Sequence, residues 1–137
     1  MKPKGKFIVF EGLDGSGKTT MMQAVAKILL DHDCSVLTTK EPGGSFLGQQ
    51  IRKMVLEQSE RLHPSVELCL MVADRIEHIK KVIQPALDKG MIVLCDRYIW
   101  STEVYQHNSD NPDVVQGIHE MFGNDIIEPD VVIFMDT

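Results

Sequence analysis

The sequence feature that most constrains the fold is a glycine-rich loop, in the stretch FIVFEGLDGSGKTTMM over residues 7–22. This stretch fits the pattern G-x-x-x-x-G-K-[ST] through Gly12, Gly17, Lys18 and Thr19. The apolar run before the loop predicts a strand, and the periodicity after it predicts a helix. Because glycine has no β-carbon, consecutive N–H groups can curl around phosphate oxygens at the helix N-terminus. An ordinary connecting turn would match this pattern only by chance, so we predict a phosphate-binding loop.

The residues that end the loop suit a nucleoside triphosphate. Lys18 offers a point charge to the β- and γ-phosphates, and the Thr19 hydroxyl can bind Mg²⁺. The guanine-specifying signature N-K-x-D is absent, because lysine follows none of Asn108, Asn111 and Asn124. The sequence therefore argues against a switch GTPase.

Apolar runs of strand length recur along the chain, and none alternates polar with apolar residues. They occupy residues 7–10, 36–39, 91–95 and 131–135. Strands buried on both faces of a sheet have this pattern. Helical periodicities lie between the runs, the longest over residues 65–88, where Pro85 is expected to kink or restart the helix. The alternation predicts an α/β fold with right-handed crossovers and a parallel sheet covered by helices on both faces.

Composition limits the classes of protein that remain. The 137 residues suffice for a single domain, 1–137, with its own core. The net charge of -6 argues against a broad nucleic-acid or membrane surface, and no apolar stretch approaches membrane-spanning length. The chain has three cysteines, Cys34, Cys69 and Cys95, which is an odd number, and their spacing does not match a metal site. We therefore expect buried, reduced thiols and a cytoplasmic protein that binds no nucleic acid and no membrane.

The third apolar run ends in MIVLCDRY, which places Asp96 and Arg97 at the carboxyl end of a predicted strand. Ligands bind at this edge of open α/β sheets. Asp96 can hold Mg²⁺ or orient an acceptor phosphate, and Arg97 can neutralise charge on a phosphoryl group. The alternative is an aspartate that caps the next helix and pairs with its neighbour.

The segments FEGLDGSGKTT, TTKEPGGSFLGQQIR, ELCLMVADR and VLCDRYIWSTEVYQ follow one another along the chain. In this order and spacing they resemble the thymidylate kinases, P-loop enzymes that phosphorylate dTMP with ATP, and the likeness spans residues 6–137. The resemblance implies the nucleoside monophosphate kinase architecture, a parallel sheet of five strands with flanking helices. It also implies conversion of dTMP to dTDP with ATP and Mg²⁺, and a homodimer.

By position, the resemblance implies an ATP phosphate loop and a catalytic set. The loop comprises Gly12, Leu13, Asp14, Gly15, Ser16, Gly17, Lys18, Thr19 and Thr20. Lys18 would bridge the donor and acceptor phosphates, and Asp14 would lie near the acceptor sugar and metal. Asp96 and Arg97 would complete the catalytic set, with Arg97 gripping the acceptor phosphate. Thr19 and Asp96 would hold Mg²⁺.

The resemblance also implies a pocket for the acceptor nucleotide. It would comprise Asp14, Glu41, Pro42, Met71, Arg75, Arg97, Thr102, Tyr105 and Gln106. Arg75 would contact the edge of thymine. Tyr105 would lie against the deoxyribose and disfavour a 2′-hydroxyl.

Spacing alone leaves other roles open for three of these features. Asp74 and His78 form an i,i+4 pair beside Arg75, which is typical of a solvated helix face. The KEPGGS segment could be an ordinary turn in which Ser45 caps the next helix. Tyr105 could be a half-buried packing aromatic.

The chain departs from the family pattern at three positions around the acceptor pocket. Lys40 replaces the usual arginine before EPGG, which turns a bidentate clamp into a point charge. Met71 replaces a phenylalanine that commonly stacks on thymine, and His107 replaces the glycine of YQG. A kinase for another deoxynucleoside monophosphate is therefore an alternative to a dTMP kinase.

Arginine is absent from residues 13–16, and neither lysine nor arginine follows Arg97. In the family, a loop of this kind is served by an arginine from the lid, and an arginine in this role is worth about 10³ to 10⁵ in rate in other phosphoryl-transfer enzymes. We therefore expect the chain to be truncated before the lid and the last strand, and to transfer phosphate poorly. A nucleotide-binding module without turnover is the second alternative.

Overall fold

The computed structural model of the chain has an α/β fold, in which helices flank a parallel sheet. The structure describes residues 5–13, 15–57, 59–98, 117 and 120–135. Within this part of the chain the sheet has four strands: β1 (Lys6–Gly12), β2 (Val36–Lys40), β3 (Ile92–Asp96) and β4 (Val131–Met135). Their order is β2-β3-β1-β4, and each neighbouring pair is parallel, which confirms the predicted sheet.

The strand register brings the carboxyl ends of three strands into one row. Asp96 of β3 lies opposite both Phe10 of β1 and Lys40 of β2. Because the strands are parallel, the segments that follow them leave the sheet at the same edge. Residues from three separate parts of the sequence thus meet where open α/β sheets bind ligands.

The helices are α1 (Lys18–Asp31), α2 (Phe46–Leu56), α3 (Pro64–His78) and α4 (Gln84–Asp88). The predicted helix over 65–88 is continuous, but residues Ile79–Ile83 form a π-helical segment that joins α3 to α4. Pro85 lies in the first turn of α4, directly after this segment. Proline donates no backbone hydrogen bond, so a change of hydrogen-bonding pattern beside it is the expected way to restart a helix.

Both faces of the central strands β1 and β3 are buried, as their unalternating sequences predict, whereas Val131 and Phe134 of β4 are exposed. One face packs Phe7, Val9 and Val93 against Ile79 and Ile83 of the π-helical segment. The other face packs its side chains against α1, through Phe10, Leu94 and Met22. Adjacent residues of β1 therefore enter opposite cores, and none of them can be polar without a partner.

The three cysteines are free thiols, but only Cys95 is buried. Cys34 is half-buried and Cys69 is exposed, so the prediction of burial is wrong for Cys69. Cys69 follows the buried Leu68 on α3 and so points about one hundred degrees away from that residue's face of the helix. An apolar run in a helix, unlike one in a central strand, does not bury every residue.

Candidate functional site

The glycine-rich loop connects the end of β1 to the first turn of α1. Gly17 is the N-cap of α1 and has φ 91°, in the left-handed region that favours glycine. No side chain caps this helix, and its first turn contains no acidic residue. The positive end of the helix is thus open to an anionic ligand rather than neutralised by the protein.

Lys18 begins α1 and points to the carboxyl end of β3. Its Nζ lies 3.1 Å from Oδ1 of Asp96, and its side chain is only 6% exposed. A buried ammonium needs a compensating partner, which Asp96 supplies. The structure therefore brings the phosphate loop and the predicted catalytic aspartate into direct contact.

Two clefts meet at Thr19 and Asp96. The first, of about 320 Å³, is lined by Gly15, Gly17, Lys18, Thr19, Thr20 and Asp96. The second, of about 420 Å³, is lined by Thr19, Met22, Gln23, Thr38, Thr39, Lys40, Gly43, Gly44 and Asp96. Asp96 therefore has open space on two sides.

The other described loop residues differ in exposure. Ser16 is buried, whereas the Leu13 side chain is 77% exposed. The Leu13 carbonyl accepts a hydrogen bond from Ser16 N at 3.2 Å, which closes the turn. Leu13 can therefore serve a ligand through its backbone, while its side chain points to solvent.

Arg97 follows Asp96 in an unusual backbone conformation. Its φ is 72°, which is rare for a residue with a β-carbon. Its N–H donates to the Phe10 carbonyl at 2.8 Å, and its carbonyl accepts from Cys95 Sγ at 3.1 Å. Backbone strain that is held in place by such contacts is characteristic of functional sites.

Glu41 is the centre of a buried polar network behind the second cleft. Its Oε1 accepts from Arg75 Nε and its Oε2 lies beside His78 Nδ1, each at 2.8 Å. Arg75 and His78 are fully buried, and Glu41 is nearly so. The interpretation of this part of α3 as a solvated helix face is therefore wrong. The guanidinium of Arg75 also lies over the Tyr98 ring, 4.9 Å from its centroid.

The KEPGGS segment is both a capped turn and part of this network. Ser45 is the N-cap of α2, and its side chain accepts from Gly48 N at 2.9 Å. Pro42 is buried, and its carbonyl accepts from Arg52 Nη1 at 2.8 Å. The predicted helix cap is confirmed, while Glu41 in the same segment has a buried ionic role that a turn alone would not require.

Asp74 and His78 are the site residues that our sequence reasoning missed. Asp74 is buried, and its Oδ1 accepts from Gly43 N at 3.1 Å. Burial and the charge of Glu41 raise the pKa of Asp74 from 3.8 to about 6. A signal was available, since Leu68, Val72, Arg75 and Ile79 follow helical spacing and place Arg75 on the buried face of α3.

The remaining predicted residues are only partly covered by the structure. Met71 is half-buried on α3, one turn before Arg75, and Lys40 is exposed at the rim of the second cleft. The other members of the predicted site lie outside the described residues: Asp14, Thr102, Tyr105, Gln106 and His107.

Comparison with known proteins identifies the family to which this site belongs. The sequence pattern of the thymidylate kinases matches residues 10–137. The chain belongs to the thymidylate kinase family. A thymidylate kinase of Caldicellulosiruptor saccharolyticus is 52% identical over 103 residues, which is 75% of this chain and 50% of that protein. One of Francisella tularensis subsp. novicida is 37% identical over 97% of this chain and 65% of that protein.

A solved structure supports the same family. The crystal structure of thymidylate kinase from Ehrlichia chaffeensis superposes with a TM-score of 0.85 at 34% identity, covering 98% of this chain and 74% of that one. The chain thus spans between half and about two thirds of the two curated thymidylate kinases described above.

Proposed function

We propose that the protein transfers the γ-phosphoryl group of ATP to dTMP and forms dTDP. The observation that carries this proposal is the contact between Lys18 and Asp96, at 3.1 Å, where two clefts meet. A phosphotransferase must hold a donor and an acceptor on either side of the transferring group. Membership of the thymidylate kinase family favours dTMP as the acceptor over other deoxynucleotides.

The donor phosphates would occupy the cleft formed by the glycine-rich loop. Backbone N–H groups around Gly15 and Gly17 would surround the phosphates, and the uncapped N-terminus of α1 would add its positive end. Lys18 would leave Asp96 in whole or in part and neutralise charge on the transferring group. Thr20 lines the same cleft and would border the phosphates.

The acceptor would occupy the second cleft, with its phosphate directed at Asp96 and Arg97. An oxygen of that phosphate would attack the γ-phosphorus in line, and Arg97 would hold the attacking group in place. Met71 and Arg75 do not line this cleft, and Arg75 is fully buried. They would bound the base beyond the cleft, Met71 by packing on its face and Arg75 at its edge, and the guanidinium would have to become accessible when the base binds. In this assignment, the protein would catalyse the reaction by positioning the two substrates and by neutralising charge on the phosphates.

The residues around Asp96 suit a magnesium ion. The Thr19 hydroxyl and the Asp96 carboxylate line both clefts, and Mg²⁺ in such enzymes takes one or two protein oxygens along with substrate phosphates. When bound, Mg²⁺ would neutralise charge that develops on the phosphates. The described residues contain no group of three or more histidine, cysteine, aspartate or glutamate side chains that could hold a metal alone.

We also propose that the protein is a cytoplasmic homodimer. Apolar side chains of α2 and α3 are exposed in the described surface, among them Phe46 at 83%, which a second subunit would cover. Three free cysteines suit a reducing compartment. Among the described helices, none has the length and apolar character needed to cross a membrane.

Radiolabel transfer from ATP to each deoxynucleoside monophosphate tests the proposal. We expect Mg²⁺-dependent labelling of dTMP ahead of the other acceptors, both by this chain and by any longer form of the protein. Preferred labelling of another deoxynucleotide would reassign the acceptor. ATP binding with no labelled product from any form would leave a nucleotide-binding module instead of an enzyme.

A further inference from the structure

Two buried residues of α3 support the wall of the second cleft from behind. Asp74 and His78 lie one helical turn apart, and neither has any exposed surface. Neither of them is among the residues that line the two clefts described above. Their side chains nevertheless contact residues that do, so any effect that they have on a ligand must pass through those residues.

His78 joins two segments of the cleft wall. Its Nε2 lies 2.6 Å from the Thr39 hydroxyl, and its Nδ1 lies 2.8 Å from Glu41 Oε2. A β-carbon on Gly44 would collide with Nε2, so the loop packs directly on the imidazole ring. Thr39 and Gly44 both line the cleft, one from the end of β2 and the other from the loop that follows it.

The partners of His78 define its tautomer. The Glu41 carboxylate is bound by Arg75 through its other oxygen and, when ionised, can only accept. His78 Nδ1 must therefore carry the proton toward Glu41. In the neutral ring Nε2 is then an acceptor for the Thr39 hydroxyl. Each ring nitrogen thus makes a separate hydrogen bond. A substitution can therefore remove one of the two bonds and keep the other.

Asp74 completes the support on the same helix face. Its Oδ1 accepts from Gly43 N at 3.1 Å, and Gly43 is the third wall residue in this region. Together, Asp74 and His78 fix the path of residues 41–44 against α3. Gly43 and Gly44 have no side chains that could anchor this part of the wall, so its position depends on the Glu41 side chain and on contacts from α3.

We propose that His78 is a positioning residue for the acceptor nucleotide. Through the bond from Nδ1 to Glu41, it holds the 41–44 loop in the shape that admits a nucleoside monophosphate, without touching the substrate. The inference rests on the proposed function, because it assigns the second cleft to the acceptor. Disruption of the Nδ1 bond would weaken acceptor binding and leave the donor cleft, which His78 does not approach, unchanged.

Two substitutions of His78 separate the hydrogen bond made by Nδ1 from the one made by Nε2. The amide nitrogen of asparagine occupies a place close to histidine Nδ1, so His78→Asn keeps a donor toward Glu41. The amide of glutamine reaches the place of Nε2, so His78→Gln keeps a partner for Thr39 and loses the donor. By titration calorimetry with dTMP, we expect His78→Asn to bind within about threefold of the wild type and His78→Gln at least tenfold more weakly, where 1.4 kcal/mol is tenfold.

Controls distinguish positioning from general loss of structure. ATP affinity should be the same in both variants, and His32→Gln, at an exposed histidine, should change neither affinity. Equal losses of dTMP affinity in the two His78 variants would show that the ring acts by packing alone and would overturn the proposal. Unchanged dTMP affinity in His78→Gln would also overturn it.

A second measurement does not depend on the acceptor. Amide hydrogen exchange at Gly43 and Gly44 in the nucleotide-free protein should be faster in His78→Gln than in the wild type and unchanged in His78→Asn. If the wild type failed to bind dTMP, the proposed acceptor would be wrong, and the exchange rates would still decide the role of His78. Equal exchange in all three proteins would contradict that role.

Discussion

Lys18 Nζ lies 3.1 Å from Asp96 Oδ1, and this contact joins the first residue of α1 to the last residue of β3. Lys18 is 6% exposed and Asp96 is 31% exposed, so the lysine is held in a partly desolvated place by one carboxylate. A polyphosphate that enters the neighbouring cleft meets this lysine with more negative charge than Asp96 carries. Under the proposed function, phosphate would therefore replace Asp96 as the partner of Lys18.

Replacement of Lys18 by methionine should weaken ATP binding about 10- to 100-fold. A hydrogen bond to a charged group contributes about 1.5–3 kcal/mol, and 1.4 kcal/mol corresponds to a factor of ten. Titration calorimetry with ATP and Mg²⁺ measures the change. Lys27→Met is the matched control, because Lys27 is exposed and pairs only with Asp31 among the described ion pairs. Equal ATP affinity in Lys18→Met and the wild type would exclude this lysine from the phosphate site.

Alanine in place of Gly44 should lower the free energy of unfolding by about 1–3 kcal/mol, the usual effect of overpacking a buried site. The added β-carbon would collide with His78 Nε2, which the surrounding contacts hold in place. Gly117→Ala is the control, because a β-carbon there meets no atom of the described residues within 4 Å. Urea unfolding of both variants measures the difference. Similar stability of Gly44→Ala and Gly117→Ala would mean that the loop shifts freely away from α3.

Asp74 should make stability depend on pH in the acidic range. Burial and the charge of Glu41 raise its pKa from 3.8 to about 6, so the folded state binds this proton more tightly than the unfolded chain does. The contribution of Asp74 is therefore most favourable below pH 3.8 and is lost as the pH rises through about 6. The full change is roughly 3 kcal/mol, since one pKa unit corresponds to about 1.4 kcal/mol.

The variant Asp74→Asn isolates this effect. Its amide oxygen can still accept from Gly43 N, but the side chain does not titrate. The stability of the wild type relative to the variant should fall between about pH 4 and pH 6 when both are unfolded in urea. Asp31→Asn, at an exposed position, serves as the control. A stability difference between Asp74→Asn and wild type that is constant with pH would be inconsistent with a raised pKa.

Cys95 should resist alkylation in the folded protein. Burial and the charge of Glu41 raise the pKa of its thiol, and the thiolate is the reactive form. Iodoacetamide should modify the exposed Cys69 first and reach Cys95 only after unfolding, as mass spectrometry of the peptides would show. Modification of Cys95 at the same rate as Cys69 in the native state would indicate that β3 opens to solvent.

The strands and most helices were predictable from the sequence because their signals are local. Residues 131–135 were predicted as a strand, and this strand is Val131–Met135. Strands covered on both faces are continuously apolar, so the pattern needs no knowledge of their partners. The π-helical segment Ile79–Ile83 was not predictable in this way, since its apolar residues fit an ordinary helix equally well.

The buried network of Glu41 was not predictable from spacing alone. Glu41 lies 34 residues before Arg75 and 37 before His78, and no local pattern joins positions so far apart. Charged residues at i,i+4 are usually solvated, so the pair of Asp74 and His78 suggested a surface. The fold reverses this expectation because the turn after β2 places the Glu41 carboxylate against α3, where it compensates the buried Arg75 guanidinium and bonds to His78 Nδ1.

Phenylalanine in place of Met71 should strengthen binding of thymine nucleotides. Stacking of a base on an aromatic ring is worth about 1–3 kcal/mol, of which a thioether retains only part through dispersion. Met71 is half-buried one turn before Arg75, so part of its side chain is accessible to a ligand. Titration calorimetry of Met71→Phe with dTMP should show a several-fold higher affinity, with unchanged ATP affinity. Met54→Phe, at an exposed methionine of α2, serves as the control. Weaker dTMP binding by Met71→Phe would mean that Met71 packs against the protein and not against the base.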